Sequence, residues 1–364
     1  MKKLACAALF LGASAGNAFA GSVTLYGIMD TGIEYLTNAD LKGNSVVRMP
    51  INTGTYTSRW GLKGDEGLGN GYKVVFTLEN GFTVGNGTIG QGGREFGRQA
   101  YVGLSSRYGT LTFGRQWTMT LNALADTELM GPNIYGLAAF DAYLPNARAD
   151  NSISYKGSFS GLSIGATYSF GRDAVGGCAG QAPGSPSSCR DWSAYAEYAW
   201  KSFGVAAGYD AQSGGDPSAA TSFFNGAAPI KLSNSSDKDW RAYLSAFARF
   251  GNAKVVAGWI HRQVSASTSV TSNIYYGGLS YMLTPSFTLD GQIGRVINTD
   301  QQRSASMGVV RILYSLSKAT TLYVQAAHLI NSGNAQYTVS VGGNNTPAPG
   351  KSQTGMMAGI RHFF

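Results

Sequence analysis

The stretch RWGLKGDEGLGNGYKVVFTLE, residues 59–79, decides the fold class of this chain. Apolar and polar side chains alternate on both sides of its glycine-rich centre. Before the centre, Trp60 and Leu62 oppose Arg59 and Lys63, and after it positions 72, 74, 76 and 78 are apolar. Alternation with a period of two is typical of a strand with one apolar and one polar face. Because a short glycine-rich turn at residues 67–71 joins the two halves, the stretch predicts a β-hairpin.

The alternation seen in this hairpin recurs along most of the chain and predicts about sixteen strands. Short turns and long loops alternate between them, which is typical of an up-and-down antiparallel barrel with one elaborated end. We find no fixed repeat of the kind that marks propellers or β-helices. The predicted strands are 23–35, 56–66, 72–79, 97–105, 110–117, 151–156, 162–170, 192–200, 202–212, 240–250, 253–264, 273–283, 287–297, 306–316, 321–330 and 353–364.

The composition favours strands that face water on one side and lipid on the other. The chain of 364 residues contains 50 Gly, 20 Tyr, 17 Phe and 6 Trp, and 13% of its residues are charged. Trp192 and Trp200 share one face at opposite ends of a predicted strand, as do Trp240 and Phe250, which indicates two aromatic girdles. A soluble barrel of this size would turn its apolar faces inward and collapse. We therefore predict an all-β transmembrane barrel with a polar lumen.

The first twenty residues read as a cleaved export signal. Lys2 and Lys3 precede an apolar run at 4–13, and Ala18-Phe19-Ala20 is a small-residue cleavage site, so the mature domain would be 21–364. Loss of the two lysines lowers the formal net charge from +8 to +6. Because the protein is exported and has no basic run, nucleic acid is not an expected partner.

Cys178 and Cys189 lie in a Gly/Ser/Pro-rich segment, and in an oxidising compartment we expect them to form a disulfide. The sequence contains no metal-ligand spacing near them, so no metal or cofactor is expected. The three histidines, His261, His328 and His362, fall on different strands among apolar neighbours. That arrangement does not favour a catalytic site, which needs a base close to a nucleophile.

One stretch breaks the alternation: TMTLNALADTELMGPNIYGLAAFDAYLPNARAD, residues 118–150. A segment of this length without regular structure is uncommon in a compact domain and is usually functional or disordered. Its many leucines, together with Ile134 and Phe140, make it too apolar for a solvated disordered segment. We therefore expect it to pack against another part of the protein.

Several motifs together resemble the general, trimeric, 16-stranded porins of Gram-negative outer membranes, in their β-proteobacterial form. The motifs cover the mature chain and are GSVTLYGIMDTGIEY at 21–35, SRWGLKGDEGLGNGYKVVFTLENGF at 58–82, GRQAYVGLSSRYGTLTFGRQ at 97–116, DNSISY at 150–155, GATYSFG at 165–171 and MMAGIRHFF at 356–364. The resemblance implies a homotrimer with a periplasmic N-terminus, assembled by the barrel-assembly machinery among outer-membrane lipid and lipopolysaccharide. It implies a water-filled channel for small ions and polar solutes, with residues 118–150 as a constriction loop folded into the lumen.

The resemblance also implies roles for individual residues. Arg59, Arg98 and Arg148 would form the basic side of a constriction, where opposed charges orient polar solutes and sort ions by sign. Lys63, Lys73 and Glu79 would line the same lumen. The carboxylate that opposes the arginines is left open among three loop residues, Asp126, Glu128 and Asp141. Because the basic residues outnumber the acidic ones, we expect a weak anion preference. Phe364, His362 and Ile360, at alternate C-terminal positions, would form the assembly signal.

Arg115 shares parity with Leu111 and Phe113, which predicts an outward-facing charge on the lipid side. Lipid exposure would cost roughly 2–4 kcal/mol near the midplane, so a protein partner is expected. We expect Arg115 to lie at a subunit interface and to pair with Glu95 of a neighbour. The alternative is a strand bulge that turns Arg115 inward.

Three other functions are compatible with a barrel. The first is an enzyme, which the scattered histidines do not favour. The second is a substrate-specific channel, which would need an aromatic slide or a ladder of matched polar groups along the lumen. The third is an adhesive surface protein whose long loops bind partners. Conductance and reversal-potential measurements separate these functions from a general porin.

Overall fold

The computed structural model describes residues 21–51, 54–180, 183–215, 221–222, 225–226 and 229–364, so the predicted signal peptide lies outside the described part. Sixteen long antiparallel strands form one sheet. They are β1 Ser22–Leu36, β2 Arg59–Gly69, β3 Tyr72–Gly81, β4 Gln99–Ser106, β5 Gly109–Trp117, β6 Arg148–Phe159, β7 Leu162–Ser169, β8 Asp191–Trp200, β9 Phe203–Ser213, β10 Lys238–Phe250, β11 Ala253–Ser265, β12 Ser269–Thr284, β13 Phe287–Ile297, β14 Ala305–Ser315, β15 Thr320–Asn331 and β16 Gln353–Phe363.

The sheet closes because β1 pairs with both of its neighbours around the ring. Ile28 is opposite Phe363 of β16 at one edge and opposite Arg59 of β2 at the other. Closure leaves no free sheet edge, which a strand structure needs in order to cross hydrocarbon. The predicted 16-stranded antiparallel barrel is therefore confirmed. Short strands also occur in the long loops, at Val46–Arg48 beside β1 and at Thr221–Ser222 beside Ile230–Lys231.

The two faces of the sheet differ as the alternation predicts. Ile293 is 71% exposed, whereas its neighbour Gln292 is 3% exposed. The same contrast separates exposed Val205 from buried Ala206, and exposed Val324 from buried Gln325. Because large apolar side chains point outward on successive strands, the outer surface suits lipid and the polar face lines the lumen. Within the described residues, every helix is too short or too polar to span a bilayer.

The apolar core of the protein lies inside the lumen. Met130, Ile134, Leu137 and Phe140, from the segment between β5 and β6, are almost completely buried. They pack against wall residues that include Ile260, Ile274, Val296 and Tyr323. As expected, the apolar stretch packs against another part of the chain, which is the inner wall of the barrel.

Candidate functional site: the lumen loop and the arginine cluster

The segment between β5 and β6, residues 118–147, is called the lumen loop here. It begins with a short helix, α1 (Met119–Leu124), which lies against the wall. The Met119 backbone N–H donates to Ser193 Oγ of β8 at 2.9 Å, and Thr120 Oγ1 donates to Asp210 of β9 at 2.8 Å. Two polar wall residues therefore fix the first turn of the loop.

The middle of the lumen loop is bound to the next part of the wall. The Leu129 N–H donates to Gln292 Oε1 of β13 at 3.0 Å, and Arg311 Nη2 of β14 donates to the Leu129 carbonyl at 2.8 Å. Asn133 and Gln325 of β15 exchange two amide hydrogen bonds, of 2.6 and 3.0 Å. These bonds hold the loop along the wall strand by strand.

The tip of the lumen loop reaches β1. Tyr135 OH donates to Glu34 Oε1 at 3.0 Å, and the same carboxylate accepts from Arg48 Nε at 2.7 Å. The Ile134 N–H donates to the Gly54 carbonyl, so the first long loop also supports the tip. Since these attachments fall on β1 and on strands from β8 to β15, the wall formed by β2–β6 faces the loop across the lumen.

Two loop carboxylates bind cations of the wall beside the loop. Asp141 accepts from Arg241 Nε at 2.7 Å and lies 3.5 Å from Arg262 Nη1, and all three side chains are buried. Asp126 lies 3.2 Å from Lys254 Nζ and 3.4 Å from Arg249 Nη2, in a more exposed pair. The cause of these pairings is the inward placement of basic residues on β10 and β11. Which loop carboxylate opposes the arginines of the facing wall stays a prediction.

The Asp141 carboxylate remains charged in spite of its environment. Burial on its own would raise the pKa of Asp141, but Arg241 and Arg262 hold the pKa below its ordinary value. Arg241 also lies with its guanidinium carbon 4.4 Å from the centre of the Tyr143 ring. Arg241 is thus the wall residue that fixes the C-terminal half of the lumen loop.

Glu128, the third expected carboxylate, braces the loop itself. Its Oε1 accepts the backbone N–H of Leu137 at 2.8 Å. Burial raises the pKa of Glu128 to about 7, although the Leu137 hydrogen bond acts in the opposite direction. A cavity of about 230 Å³ beside it is lined mainly by apolar loop residues, among them Leu121 and Pro132.

Arg59, Arg98 and Arg148 are called the arginine cluster, and the structure brings them together around Glu79. Arg98 Nε donates to Glu79 Oε1 at 2.7 Å, and Arg59 Nε lies 3.4 Å from Oε2. Tyr26 OH donates to the same carboxylate at 2.9 Å. Glu79 is 4% exposed, so one buried carboxylate is shared by two guanidinium groups.

Arg148 completes the cluster without a carboxylate of its own. Its guanidinium carbon lies 3.6 Å from the centre of the Trp117 ring, and that of Arg98 lies 5.4 Å from the same ring. Within the described residues, Arg148 has no carboxylate within 4 Å, and its Nε has no hydrogen-bond partner. The stacking role of Trp117 was missed in the sequence, although an aromatic residue at the start of the loop was a usable signal.

The two lysines expected near the constriction do not join the arginine cluster. Lys73 pairs with Asp65 at 3.1 Å beside the short turn between β2 and β3. The residue of β3 opposite Arg59 is Gly81, eight residues from Lys73. Lys73 is therefore roughly 26 Å from Arg59 along the wall. Lys63 is four residues from Arg59, roughly 13 Å along β2, and its Nζ lies 5.2 Å from the Tyr26 ring centre.

Arg115 is satisfied inside its own chain. The register between β5 and β6 shifts between Gly114 and Gln116, where Arg115 alone is opposite two residues of β6, Asp150 and Asn151, so the extra residue of the bulge is on β6. Arg115 Nη1 pairs with Asp150, and Nε donates to the Gly97 carbonyl at 2.7 Å. Arg115 therefore has a carboxylate partner within its own chain, and it keeps its place in the alternation of β5, because Thr112 and Gln116 are buried on the opposite parity. Its predicted pairing with Glu95 of a neighbour stays a prediction. In the described part of the chain, the side chain of Glu95 is exposed and forms no ion pair.

The predicted disulfide between Cys178 and Cys189 is confirmed. Both cysteines are buried beside Leu232 and Val264, so the loop between β7 and β8 is fastened to the wall. Arg94 pairs with Asp173 and links this loop to the loop before β4.

The C-terminal residues complete the ring. The Gly27 N–H donates to the Phe364 carbonyl at 2.8 Å, and the Phe364 N–H donates to the Gly27 carbonyl at 3.1 Å. A Cβ atom at Gly27 would overlap the Phe364 ring, so glycine is required where the ring crosses β1. His362 Nδ1 lies 2.9 Å from Thr320 Oγ1, and Ile360 is exposed on the outer face. Their role as an assembly signal stays a prediction.

The histidines lie apart from one another. His261 Nδ1 lies 3.0 Å from Asn273 Oδ1, and His328 Nδ1 lies 2.8 Å from Thr354 Oγ1. The described residues contain no group of three or more His, Cys, Asp or Glu side chains placed to hold a metal ion.

Comparison with known proteins agrees with this architecture of a 16-stranded barrel with a loop inside its lumen. The family model described as Gram-negative porin matches residues 5–334. The chain belongs to the Gram-negative porin family. This porin is 31% identical to outer membrane porin protein 32 of Delftia acidovorans, in an alignment that covers all of both chains. It is 40% identical to an outer membrane porin protein of Bordetella pertussis over 47% of this chain and 48% of that protein.

A solved structure supports the same assignment. The anion-selective porin from Comamonas acidovorans matches with a TM-score of 0.78 and 26% sequence identity, over 94% of this porin and all of that chain. The family resemblance predicted from the sequence motifs is confirmed, and the porin is a multi-pass barrel of the Gram-negative outer membrane.

Proposed function

We propose that this porin forms a water-filled pore for passive diffusion of ions and small hydrophilic solutes, with a preference for anions. The narrowest part would lie between the lumen loop, residues 118–147, and the arginine cluster on the facing wall. Residues 148–150, which the sequence assigned to the constriction loop, belong to β6 and so to that wall. The observation that carries the preference is the imbalance of charge. The three arginines of the cluster have one carboxylate among them, Glu79, which pairs with Arg59 and Arg98, whereas Asp126 and Asp141 are paired with other wall cations.

The physical basis is the field of an incompletely neutralised cluster. Positive charge held at a narrow, partly desolvated point lowers the free energy of a passing anion and raises that of a cation. Arg98 and Arg148 are largely buried, so salt in the lumen screens their charge less than it screens exposed charges. The similar structure from Comamonas acidovorans is that of an anion-selective porin, which supports this direction.

The test is conductance in a planar lipid bilayer. We expect stepwise insertion of open channels and a reversal potential, in a salt gradient, of the sign given by anion preference. The absence of steps would contradict the pore. Saturation by one sugar or one acid would favour the substrate-specific alternative, and hydrolytic turnover with no conductance would favour the enzyme.

We further propose that the native assembly is a homotrimer with its N-terminus in the periplasm. The family resemblance supports both the trimer and the periplasmic N-terminus. The continuous apolar outer face suits contact with lipid or with a second barrel. Assembly would involve the barrel-assembly machinery acting on the C-terminal strand. Cross-linking in intact cells followed by gel electrophoresis tests the oligomer, and a monomer band alone would contradict it.

The anion preference should depend on pH through Glu128. Because burial raises its pKa to about 7, Glu128 is neutral below that pH and adds one negative charge to the loop above it. Folding of the loop is therefore favoured at low pH, and this contribution is lost as pH rises from about 4.5 to about 7. We expect the reversal potential to move towards cations as pH rises through 7.

The matched variant for this prediction is Glu128→Gln, which keeps an acceptor for the Leu137 N–H and removes the titration. Its reversal potential should be flat over the same pH series. If the wild-type step persists unchanged in Glu128→Gln, another group is responsible and the prediction is wrong.

A further inference from the structure

The apolar cavity of about 230 Å³ beside Glu128, called the loop cavity here, opens towards the pore. The other side of the lumen loop is bound to the wall, as the bond from Arg311 to the Leu129 carbonyl shows. Ala125 at the edge of the cavity is exposed and Leu121 is partly exposed, so the cavity is in contact with the water of the lumen. Its apolar lining residues include Leu121, Leu124, Pro132, Leu144 and Pro145 of the lumen loop, and Tyr56 of the first long loop.

The size and lining of the loop cavity suit one aromatic ring. An apolar cavity of about 150 Å³ is large enough to bind benzene. A ring that entered the loop cavity would remove apolar surface of both the ligand and the loop from water, which is favourable. An apolar surface beside a water-filled pore is therefore a binding surface for a solute with an apolar part.

Tyr56 is held in place at the edge of the loop cavity. The carboxylate of Asp30 accepts the backbone N–H of Tyr56 at 2.8 Å and that of Thr55 at 2.9 Å. The Tyr56 ring also meets the edge of the Phe363 ring, with 6.0 Å between the ring centres. A ligand ring in the cavity can therefore contact a fixed aromatic side chain.

A cation stands next to this tyrosine. Arg361 faces the lumen, because its neighbours Ile360 and His362 are exposed on the outer face. Its guanidinium carbon lies 4.8 Å from the centre of the Tyr56 ring, and its Nη1 donates to Thr55 Oγ1 at 2.9 Å. In the part of the chain that the structure describes, Arg361 has no carboxylate within 4 Å, and its Nε has no hydrogen-bond partner. A partly exposed guanidinium without a counter-ion is suited to bind a carboxylate.

Glu128 is the charged residue among the described residues that line the loop cavity. Its Oε1 is occupied by the Leu137 N–H at 2.8 Å. Burial raises the pKa of Glu128 to about 7, so this side chain is mainly neutral at a pH of about 6. At that pH the cavity has an uncharged apolar interior, and the nearest charge at its edge is positive.

We propose that the loop cavity binds aromatic monocarboxylates, with the ring between the lumen loop and Tyr56 and the carboxylate on Arg361. A second carboxylate on the ring would lie in the apolar interior, where an unpaired charge is costly, so dicarboxylates do not fit. The proposal rests on the proposed pore, because the ligand enters through the lumen, but it does not rest on the ion preference of that pore.

The test compares benzoate with acetate, which has the same charge and no ring. Chloride current through wild-type channels is recorded in planar bilayers at a pH of about 6, with either anion added at constant ionic strength. We expect benzoate to block half of the current at a concentration about tenfold lower than acetate. Open channels that the two anions block equally overturn the proposal and leave the proposed pore intact.

A direct binding measurement covers the case in which no channels form and the proposed pore is contradicted. Saturation-transfer NMR is recorded on benzoate with the mature porin in detergent micelles. The signal should be stronger with the wild type than with Arg361→Gln. Equal signals from the two proteins overturn the proposal.

Two variants locate the site in the conductance test. Arg361→Gln keeps a donor for Thr55 Oγ1 and removes the charge, and it should raise the half-blocking concentration of benzoate about tenfold with little change for acetate. Leu121→Asn places a polar group of similar size in the loop cavity and should weaken block by benzoate to a similar extent. Block of wild-type strength in either variant overturns the proposal.

The matched control is Arg303→Gln. Arg303 lies on the loop between β13 and β14 and donates to the Gly226 carbonyl, a bond that glutamine can also form. Its removal takes one positive charge from a hollow that shares no lining residue with the loop cavity. The ratio of the benzoate and acetate half-blocking concentrations should stay at the wild-type value. A change as large as that of Arg361→Gln assigns the block to total charge and overturns the proposal.

Discussion

Replacement of Arg241 by alanine is expected to free the C-terminal half of the lumen loop and to raise the single-channel conductance. Arg241 holds Asp141 at 2.7 Å in a site where both side chains are buried. Removal of one partner of a buried ion pair typically costs about 3–5 kcal/mol, because the remaining charge is left uncompensated. Arg262, 3.5 Å from Asp141, would recover part of this. Larger and noisier current steps in planar bilayers are the readout.

Two matched variants separate loop release from general damage. The double variant Asp141→Leu with Arg241→Met replaces the ion pair by apolar contact and should keep conductance near the wild-type level. Arg249→Ala removes a cation from the exposed pair with Asp126, which contributes at most about 1 kcal/mol, and should change little. If Arg241→Ala gives wild-type steps, the hydrogen bonds and apolar contacts of the loop hold it without Arg241, and the proposed role of Arg241 is wrong.

The second large effect concerns ion preference. Exchange of Arg59 and Arg98 for serine leaves Arg148 and Glu79 with balancing charges in the cluster. Two unit charges about 8 Å from a passing ion in water together change its free energy by about 1 kcal/mol, with opposite signs for an anion and a cation, so the anion-to-cation permeability ratio should fall by roughly 30-fold. The reversal potential in a salt gradient should therefore move towards cations.

The control for this exchange removes the same charge elsewhere. Lys73→Ser with Arg107→Ser takes two cations from exposed positions beside short turns, away from the arginine cluster. Its reversal potential should stay close to that of the wild type, because exposed charges at a wide mouth are screened. A shift as large as that of the arginine exchange would show that total lumen charge, not the cluster, sets the preference.

The barrel could be predicted because the sequence pattern that marks each strand lies within that strand. Residues 287–297 were predicted as one strand, and the structure gives Phe287–Ile297. Period-two alternation marks each strand independently, and short turns impose antiparallel pairing. The prediction was less accurate at β6, which begins at Arg148 instead of residue 151. At residues 148–150 the strand pairing continues through charged residues, and no large apolar side chain alternates with them to mark the strand in the sequence.

The site could be predicted only in part because its pairings are distant in sequence. The family motifs gave Arg59 on β2, Glu79 on β3 and Arg98 one residue before β4, and the three side chains meet in the structure. The partner of Asp141 lies 100 residues away, so no local pattern could indicate it. The inward parity of Arg241 and Arg262 was the one available signal. The partner of Arg115 could not be predicted either, because alternation cannot reveal the extra residue of β6 beside Asp150.

The attachments of the lumen loop also set an order of events during folding. Apart from the contacts of its tip with Glu34 and Gly54, its partners follow it along the chain, from Ser193, 74 residues from Met119, to Gln325, 192 residues from Asn133. A loop cannot bind a wall that has not formed, and contacts over such separations form slowly. In a barrel that is not yet complete, the loop is therefore not bound along the wall and does not narrow the lumen. The lumen loop can narrow the pore only after the C-terminal strands are in place, so the pore becomes selective at the last step of barrel assembly.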